Sequence, residues 1–330
     1  MAAQFTNDGA GIIPLEEASL AGLESLFDEQ CEEWLALLRW DYAGPSRMIR
    51  EVARQRELSG FAATSGSRTI GFAYYIVEAS RCSIGDVYVS KLWRGQGADA
   101  SMAEAIIQKL DAMKRPHRIE SQCVTVGNTA ASSVFHARRF NRFDRDYMMC
   151  ELAEARRNGY YAKASRRSSD HPLDISIRSW REEDFAQAAR VIHRSYVGRH
   201  DSRINSQYAT EEGCAELLSI LTDHIWCGDF LPQVARVAVR RNTGSVVGVL
   251  VASRLARGAG PISQISIHPA LQGRGLGRQM ISGALAEFDN RGLDSVSLAV
   301  TTANASALHL YQSCGFRTIH SFPVFYRERM

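Results

Sequence analysis

Polar and apolar residues alternate from Gln264 to Ile267, so Ile262 to Ile267 reads as an alternating strand. Beyond Gly277 the spacing turns helical. The same switch occurs earlier in the chain. Ile84 to Val89 reads as the strand, and the residues after it place Ala103, Ile106, Ile107, Leu110 and Met113 at i, i+3, i+4, i+7 and i+10. An edge-like strand is expected at Ile175 to Arg178. A helix start is expected at Glu182-Glu183-Asp184, where acidic groups suit the dipole. Val234 to Val239 and Val246 to Ala252 flank Asn242-Thr243-Gly244 and read as a hairpin.

These elements recur because the chain repeats one plan. His268-Pro269-Ala270-Leu271 and Gln272-Gly273-Arg274-Gly275-Leu276-Gly277 follow the strand ending at Ile267. Lys91-Leu92-Trp93 and Arg94-Gly95-Gln96-Gly97-Ala98-Asp99 follow the strand ending at Val89. Downstream, Asn304 to Tyr311 leads into Gly315-Phe316, as Asn128 to Phe135 leads into Arg139-Phe140. The copies are offset by 178 residues at the glycine loop and by 176 at the second segment, so two ordered motifs repeat almost without insertion. Each copy reads as strand, helices, hairpin, strand, Gly-rich loop, helix, strand, helix and two closing strands. That is an α/β plan with a mixed sheet. The expected division is 1–152, a linker over 153–172, and 173–330. The linker reads as solvated, being poor in apolar periodicity and containing Arg156-Arg157 and Arg166-Arg167-Ser168-Ser169.

Composition removes several classes of function. The 330 residues are 45% hydrophobic and 23% charged, ordinary for a chain with a sizeable core. A net charge of +3 is too small to make nucleic acid or an anionic membrane the main partner. No window approaches the roughly 18 apolar residues of a membrane span, and the start of the chain lacks the pattern of a secretory signal. Seven scattered cysteines without C-x-x-C, and no H-E-x-x-H, argue for reduced thiols in the cytoplasm and against a metal site.

The chemistry lies in the glycine loop. Gly273, Gly275 and Gly277 let the backbone approach a ligand and take positive φ. They stand between a strand and a helix N-terminus, where free N–H groups and the dipole favour phosphate or pyrophosphate. The spacing is neither a P-loop nor the dinucleotide fingerprint. Gln272 to Gly277 instead resembles the Q/R-x-x-G-x-G/A signature of the GNAT superfamily of acyl-CoA-dependent N-acyltransferases. Asn304…Tyr311…Gly315-Phe316 is similar to that family's next motif. The resemblance covers most of 175–330 and, more loosely, 12–152. It implies two tandem GNAT-like domains, each a mixed, mostly antiparallel sheet flanked by helices. It further implies acetyl-CoA as co-substrate, with the amides of Arg274, Gly275, Leu276 and Gly277 on its pyrophosphate. The strand edge at Ile265 and Ile267 would pair with the pantetheine arm, and an amide near Ile267 would polarise the thioester carbonyl.

Asn304 and Tyr311 are seven apart and share one helix face. Asn304 suits both an N-cap and a contact to the CoA arm. By pattern alone Tyr311 is a core aromatic; at the matched family position it becomes the proton donor to the leaving thiolate. Relatives often carry a carboxylate base on the strand before the loop, but this strand has Gln264 and Ser266. His224, Asp223, Asp229 and His268 remain as candidate bases. The first copy lacks key groups: Asp99 replaces a Gly or Ala, Phe135 replaces Tyr311 and Arg139 replaces Gly315. Losing the acid costs roughly 10²–10⁴ in rate, so the first copy reads as degenerate and structural, one half of a pseudo-dimer within the chain. The expected acceptor is a small-molecule or peptide amine, bounded by Tyr196 to Tyr208 and His224 to Pro232, with Trp226 and Phe230 as possible walls. The competing reading is a CoA-ligand sensor or scaffold without chemistry.

Overall fold

The structure is a computed structural model that describes residues 10–78, 81–114, 117–122, 130–161, 174–223, 228–255 and 258–328. In chain order the first elements are β1 (Ala10–Pro14), α1 (Leu20–Leu38), α2 (Ala43–Arg54), β2 (Gly60–Ser65), β3 (Arg68–Val77) and β4 (Cys82–Val89). They are followed by α3 (Ala98–Ala112), β5 (Arg118–Gln122), α4 (Ala130–Ala137), β6 (Asn141–Glu151) and α5 (Leu152–Arg157). The second copy opens with β7 (Ile175–Ser179), α6 (Phe185–Tyr196), α7 (Asp201–Ile204), α8 (Glu211–Asp223) and the short β8 (Asp229–Phe230). It continues through β9 (Arg236–Arg240), β10 (Val246–Arg254), β11 (Ala259–Ile267), α9 (Leu276–Asn290), β12 (Ser295–Thr301), α10 (Ala305–Gln312) and β13 (Arg317–Glu328). Each copy closes on one long strand, β6 or β13, and not on the two that the sequence suggested. No helix among the described residues is long and apolar enough to cross a membrane.

Two compact units result. The first holds residues 1–38, 42–145 and 321–330, and the second holds 39–41 and 146–320. In the first unit the strand order is β1-β2-β3-β4-β5 and then the end of β13. Val324 to Glu328 pair antiparallel with Gln122 to Arg118, so the strand that completes this sheet comes from the far end of the chain. Phe325 there is 2% exposed and stacks on Phe135 of α4 at 4.5 Å. In the second unit the order is β12-β11-β10-β9-β7, with the end of β6 beside β12.

Side-chain alternation assigns the two faces of the second sheet. Ala238, Val247, Leu250 and Ile262 pack with Met280, Ile281, Leu285 and Phe288 of α9. Val237, Val239, Val249 and Val251 pack with Ala188, Ile192, Cys214 and Leu218 of α6 and α8. The glycine loop therefore opens onto one face, and the α6–α7 segment covers the other. The segment after Glu151, expected as a solvated linker, begins as structure. Leu152, Ala155 and Tyr161 are buried, and Tyr161 donates to Leu152 O and to Asp289 at 2.8 Å. The rest of it, 162–172, lies outside the described residues.

Candidate functional site

Strand β11 pairs with β10 from Ile262 to Ile267 but with β12 only from Ala259↔Ser295 to Pro261↔Ser297. Past Pro261 the two parallel strands part. The His268 N–H donates to Val247 O at 2.9 Å, on the β10 side. Backbone direction alternates along an antiparallel strand, so the N–H groups of Ile265 and Ile267 point into the split. Gln272 Nε2 donates to Ile267 O at 3.0 Å and satisfies the carbonyl there.

The turn that follows is built for close approach. Pro269–Leu271 forms a 3₁₀ turn capped by His268, whose Nδ1 accepts from Ala270 N at 3.3 Å. Gly273 and Gly275 take φ of +72° and +84°. A Cβ at either would stand in open space with nothing within 4 Å, so a side chain would project into the place where a ligand can sit. Leu276 is 1% exposed and pins the first turn of α9 into the core, while Arg278 bonds Ser313 O and Oγ at the end of α10. A helix N-terminus reached through such a turn suits a pyrophosphate.

One cavity of about 340 Å³ collects these parts. Ile265, Ile267, Gln272, Gly273, Gly275, Gly277, Asn304 and Tyr311 all line it. Arg274 and Leu276, also expected there, do not line it. Asn304 caps α10 through Oδ1, accepting from Ala307 N at 3.2 Å, and still faces the cavity. Tyr311 is 7% exposed, packed among the α9-side residues with Phe316 edge-on at 6.1 Å.

On the strand before the loop, at Gln264 and Ser266, the structure shows a neutral network. Gln264 accepts from Tyr208 Oη at 2.9 Å and donates to Tyr196 Oη and Ser266 Oγ, while Ser195 Oγ donates to Ser266 Oγ. Tyr196 and Tyr208 stack at 3.9 Å. The candidate bases fare differently. His268 serves as the cap just described, Asp229 pairs with Arg254 at 3.2 Å, and neither lines the cavity. His224, Trp226 and the Asp223 side chain lie outside the described residues, as do Asn128 and Thr129. Phe230 meets Trp180 edge-on at 6.0 Å within the α6–α8 core. Ser195, which the sequence reading missed, also lines the cavity, as do Ser266 of the strand and Arg199 and Asp201, which fall within the expected Tyr196 to Tyr208 segment but were not singled out. Arg199 donates to Gln272 Oε1 at 3.2 Å, and Thr301 Oγ1 donates to Asp201 Oδ1 at 2.7 Å.

In the first unit Gly95 and Gly97 repeat the loop geometry with φ of +78° and +85°. Arg94 Nε donates to Val89 O at 3.0 Å, as Gln272 does to Ile267 O. The surroundings differ. Glu33 of α1 pairs with Arg94 and accepts from Tyr88 Oη, and Glu29 accepts from Ser90 Oγ and Lys91 N. Asp99 accepts from Ala131 N at 3.0 Å. Phe135 is fully buried. Carboxylates of the chain itself line the end of β4.

The Acetyltransferase (GNAT) family matches residues 23–140 and 203–316, more than half of the chain. Mycothiol acetyltransferase of Renibacterium salmoninarum is 36% identical over 163 residues, 46% of this chain and 45% of that protein. N-alpha-acetyltransferase RimI of Mycobacterium tuberculosis is 38% identical over 90 residues, 26% of this chain and 55% of that protein. The chain spans less than half the length of the curated mycothiol acetyltransferases it matches. In fold it is similar to a GCN5-related N-acetyltransferase from Sphaerobacter thermophilus, with a TM-score of 0.63 at 16% identity over 98% of this chain and 96% of that one. It is also similar to a tandem GNAT protein from the clavulanic acid biosynthesis pathway, with a TM-score of 0.55 at 14% identity over 97% and 98% of the two chains. The split strands, the glycine cradle and the family match over both copies make this chain a member of the GNAT acetyltransferase family.

Proposed function

We propose that the chain transfers an acetyl group from acetyl-CoA to a primary amine, and that its C-terminal site does so by direct attack. The observation that carries this reading is the gathering of the open β11 edge, the glycine cradle and Tyr311 around one cavity. Acetyl-CoA supplies an activated acyl thioester when bound. The amides of Arg274 to Gly277 hold its pyrophosphate, the β11 edge aligns the arm beside Ile265 and Ile267, and the Ile267 N–H polarises the acyl carbonyl. Asn304 orients the arm from the start of α10. Tyr311 protonates the departing sulfur, as a phenol, whose reference pKa is about 10, is able to do.

The first copy is structural in this account. Its Phe135 has no proton to give, and Glu29, Glu33 and Asp99 concentrate negative charge where an anionic co-substrate would approach. The names of the relatives support a small-molecule or a peptide amine as acceptor. The test follows free thiol release from acetyl-CoA with tyramine, spermidine, glucosamine and a tripeptide bearing a free N-terminus. Tyr311→Phe is expected to lower the rate by about 10²–10⁴ at unchanged CoA affinity. Equal rates would sink the assignment of Tyr311 as proton donor.

A further inference from the structure

Transfer to an amine requires a group that removes the amine's proton, and the neutral Gln264–Ser266 network cannot supply it. The two faces of the sheet tell where that group must stand. Tyr311 and the glycine loop lie on the α9 side of the split between β11 and β12. Ser195, Tyr196 and Asp201 reach the same cavity from the α6–α7 side, since Ser195 and Tyr196 bond Ser266 and Gln264 on that face. An acyl group held in the split is thus flanked by its leaving sulfur on one side and by the α6–α7 segment on the other.

Asp201 is the acidic side chain among the residues lining this cavity. It opens α7 and is held by the hydroxyl of Thr301, a 2% exposed residue at the end of β12, where that strand has already left β11. Thr301 fixes the carboxylate without neutralising it. Among the described residues Asp201 has no ion-pair partner, and its Oδ2 has no donor. A carboxylate so placed is complementary to a cation, and alkylamines arrive as ammonium ions at neutral pH, with pKa near about 10.

Resting on the function proposed above, we infer that Asp201 binds the ammonium of the acceptor and takes its proton. As the C–N bond forms and the C–S bond breaks, the nitrogen sheds two protons in all. One passes to Asp201 and on to solvent. The other restores the phenol of Tyr311, whose own proton has gone to the sulfur. Asp201 serves the attack and Tyr311 the departure.

The test uses the full chain and the same four amines, with CoA affinity measured by titration calorimetry alongside. Asp201→Asn is expected to lower kcat/KM by roughly 10²–10³-fold on every amine that wild type accepts, with CoA affinity held within threefold. Its residual rate should rise about tenfold per pH unit below the amine pKa, because only amine that is already neutral can react. Asp201→Glu should recover part of the rate, and Thr301→Val should lose less than Asp201→Asn. An Asp201→Asn rate within threefold of wild type, with an unchanged pH profile, overturns the inference. Wild type that binds CoA but acetylates none of the four amines refutes the function itself, and this inference falls with it.

Discussion

Asp86 and Gln264 hold the same place in the two copies, on the strand before the glycine loop, yet they carry different chemistry. Gln264 is neutral and fully bonded to two tyrosines and a serine. Asp86 is 6% exposed, and burial raises its carboxyl to about 6 even though Gln30 and Tyr42 pull the other way. A carboxyl raised by folding stabilises the native state only while protonated, so that stability is lost as pH rises through about 6. Asp86→Asn keeps the shape of the protonated form. Its stability relative to wild type should therefore grow by about 2–3 kcal/mol between pH 4 and pH 7, read from urea midpoints at each pH. Parallel profiles for the two proteins would contradict this. Residues of this kind were half visible in the sequence. The missing carboxylate at Gln264 could be read directly, because it is an identity at a known spacing. Asp201 could not, because Asp-Ser-Arg-Ile reads like any helix start and only the bond to Thr301 shows where it points.

The helix after each glycine-loop unit ends in the same way. Phe316 N donates to Tyr311 O at 3.1 Å and Gly315 N to Gln312 O at 3.0 Å; Phe140 N donates to Phe135 O and Arg139 N to His136 O, each at 3.0 Å. This is a left-handed cap with an apolar contact across it, and the rings of Phe135 and Phe140 meet edge-on at 5.1 Å. Gly315 takes the required φ of +94° freely, but Arg139 is forced to +61°. Arg139→Gly should raise the stability of the first unit by about 0.5–1 kcal/mol, the strain relieved less the added freedom of the unfolded glycine. A chemical-denaturation midpoint that fails to rise would contradict it. At this scale the sequence was informative. Strand and helix periods, the hairpin turn and the glycine spacing each reflect local backbone needs that a short window contains. The single closing strands and the structured start of the linker were not visible, since Leu152, Ala155 and Tyr161 are fixed by a distant partner, α9.

At the level of the whole chain, the unit that begins at the N-terminus is completed by residues 321–330. No local pattern could announce this, because a strand's alternation shows which face is buried and not which neighbour it pairs with. A consequence is that residues 1–160 alone lack the closing strand of their own sheet. Truncation after His320 removes Phe325 from its stack on Phe135, the ladder to β5, and Arg327 from Asp111 and the ring of Phe140. Loss of one buried Phe alone costs about 3–5 kcal/mol, a large share of a stability of roughly 5–15 kcal/mol. Hydrogen exchange should show α3 losing protection in the truncated chain; undiminished protection would contradict the account. The most direct measurement of the central claim is a crystal structure of the full chain grown with coenzyme A. The account predicts the pyrophosphate on the amides of Arg274 to Gly277 and the sulfur beside Tyr311. Coenzyme A seated instead on the Gly95–Gly97 loop, with the C-terminal cavity vacant, would contradict it.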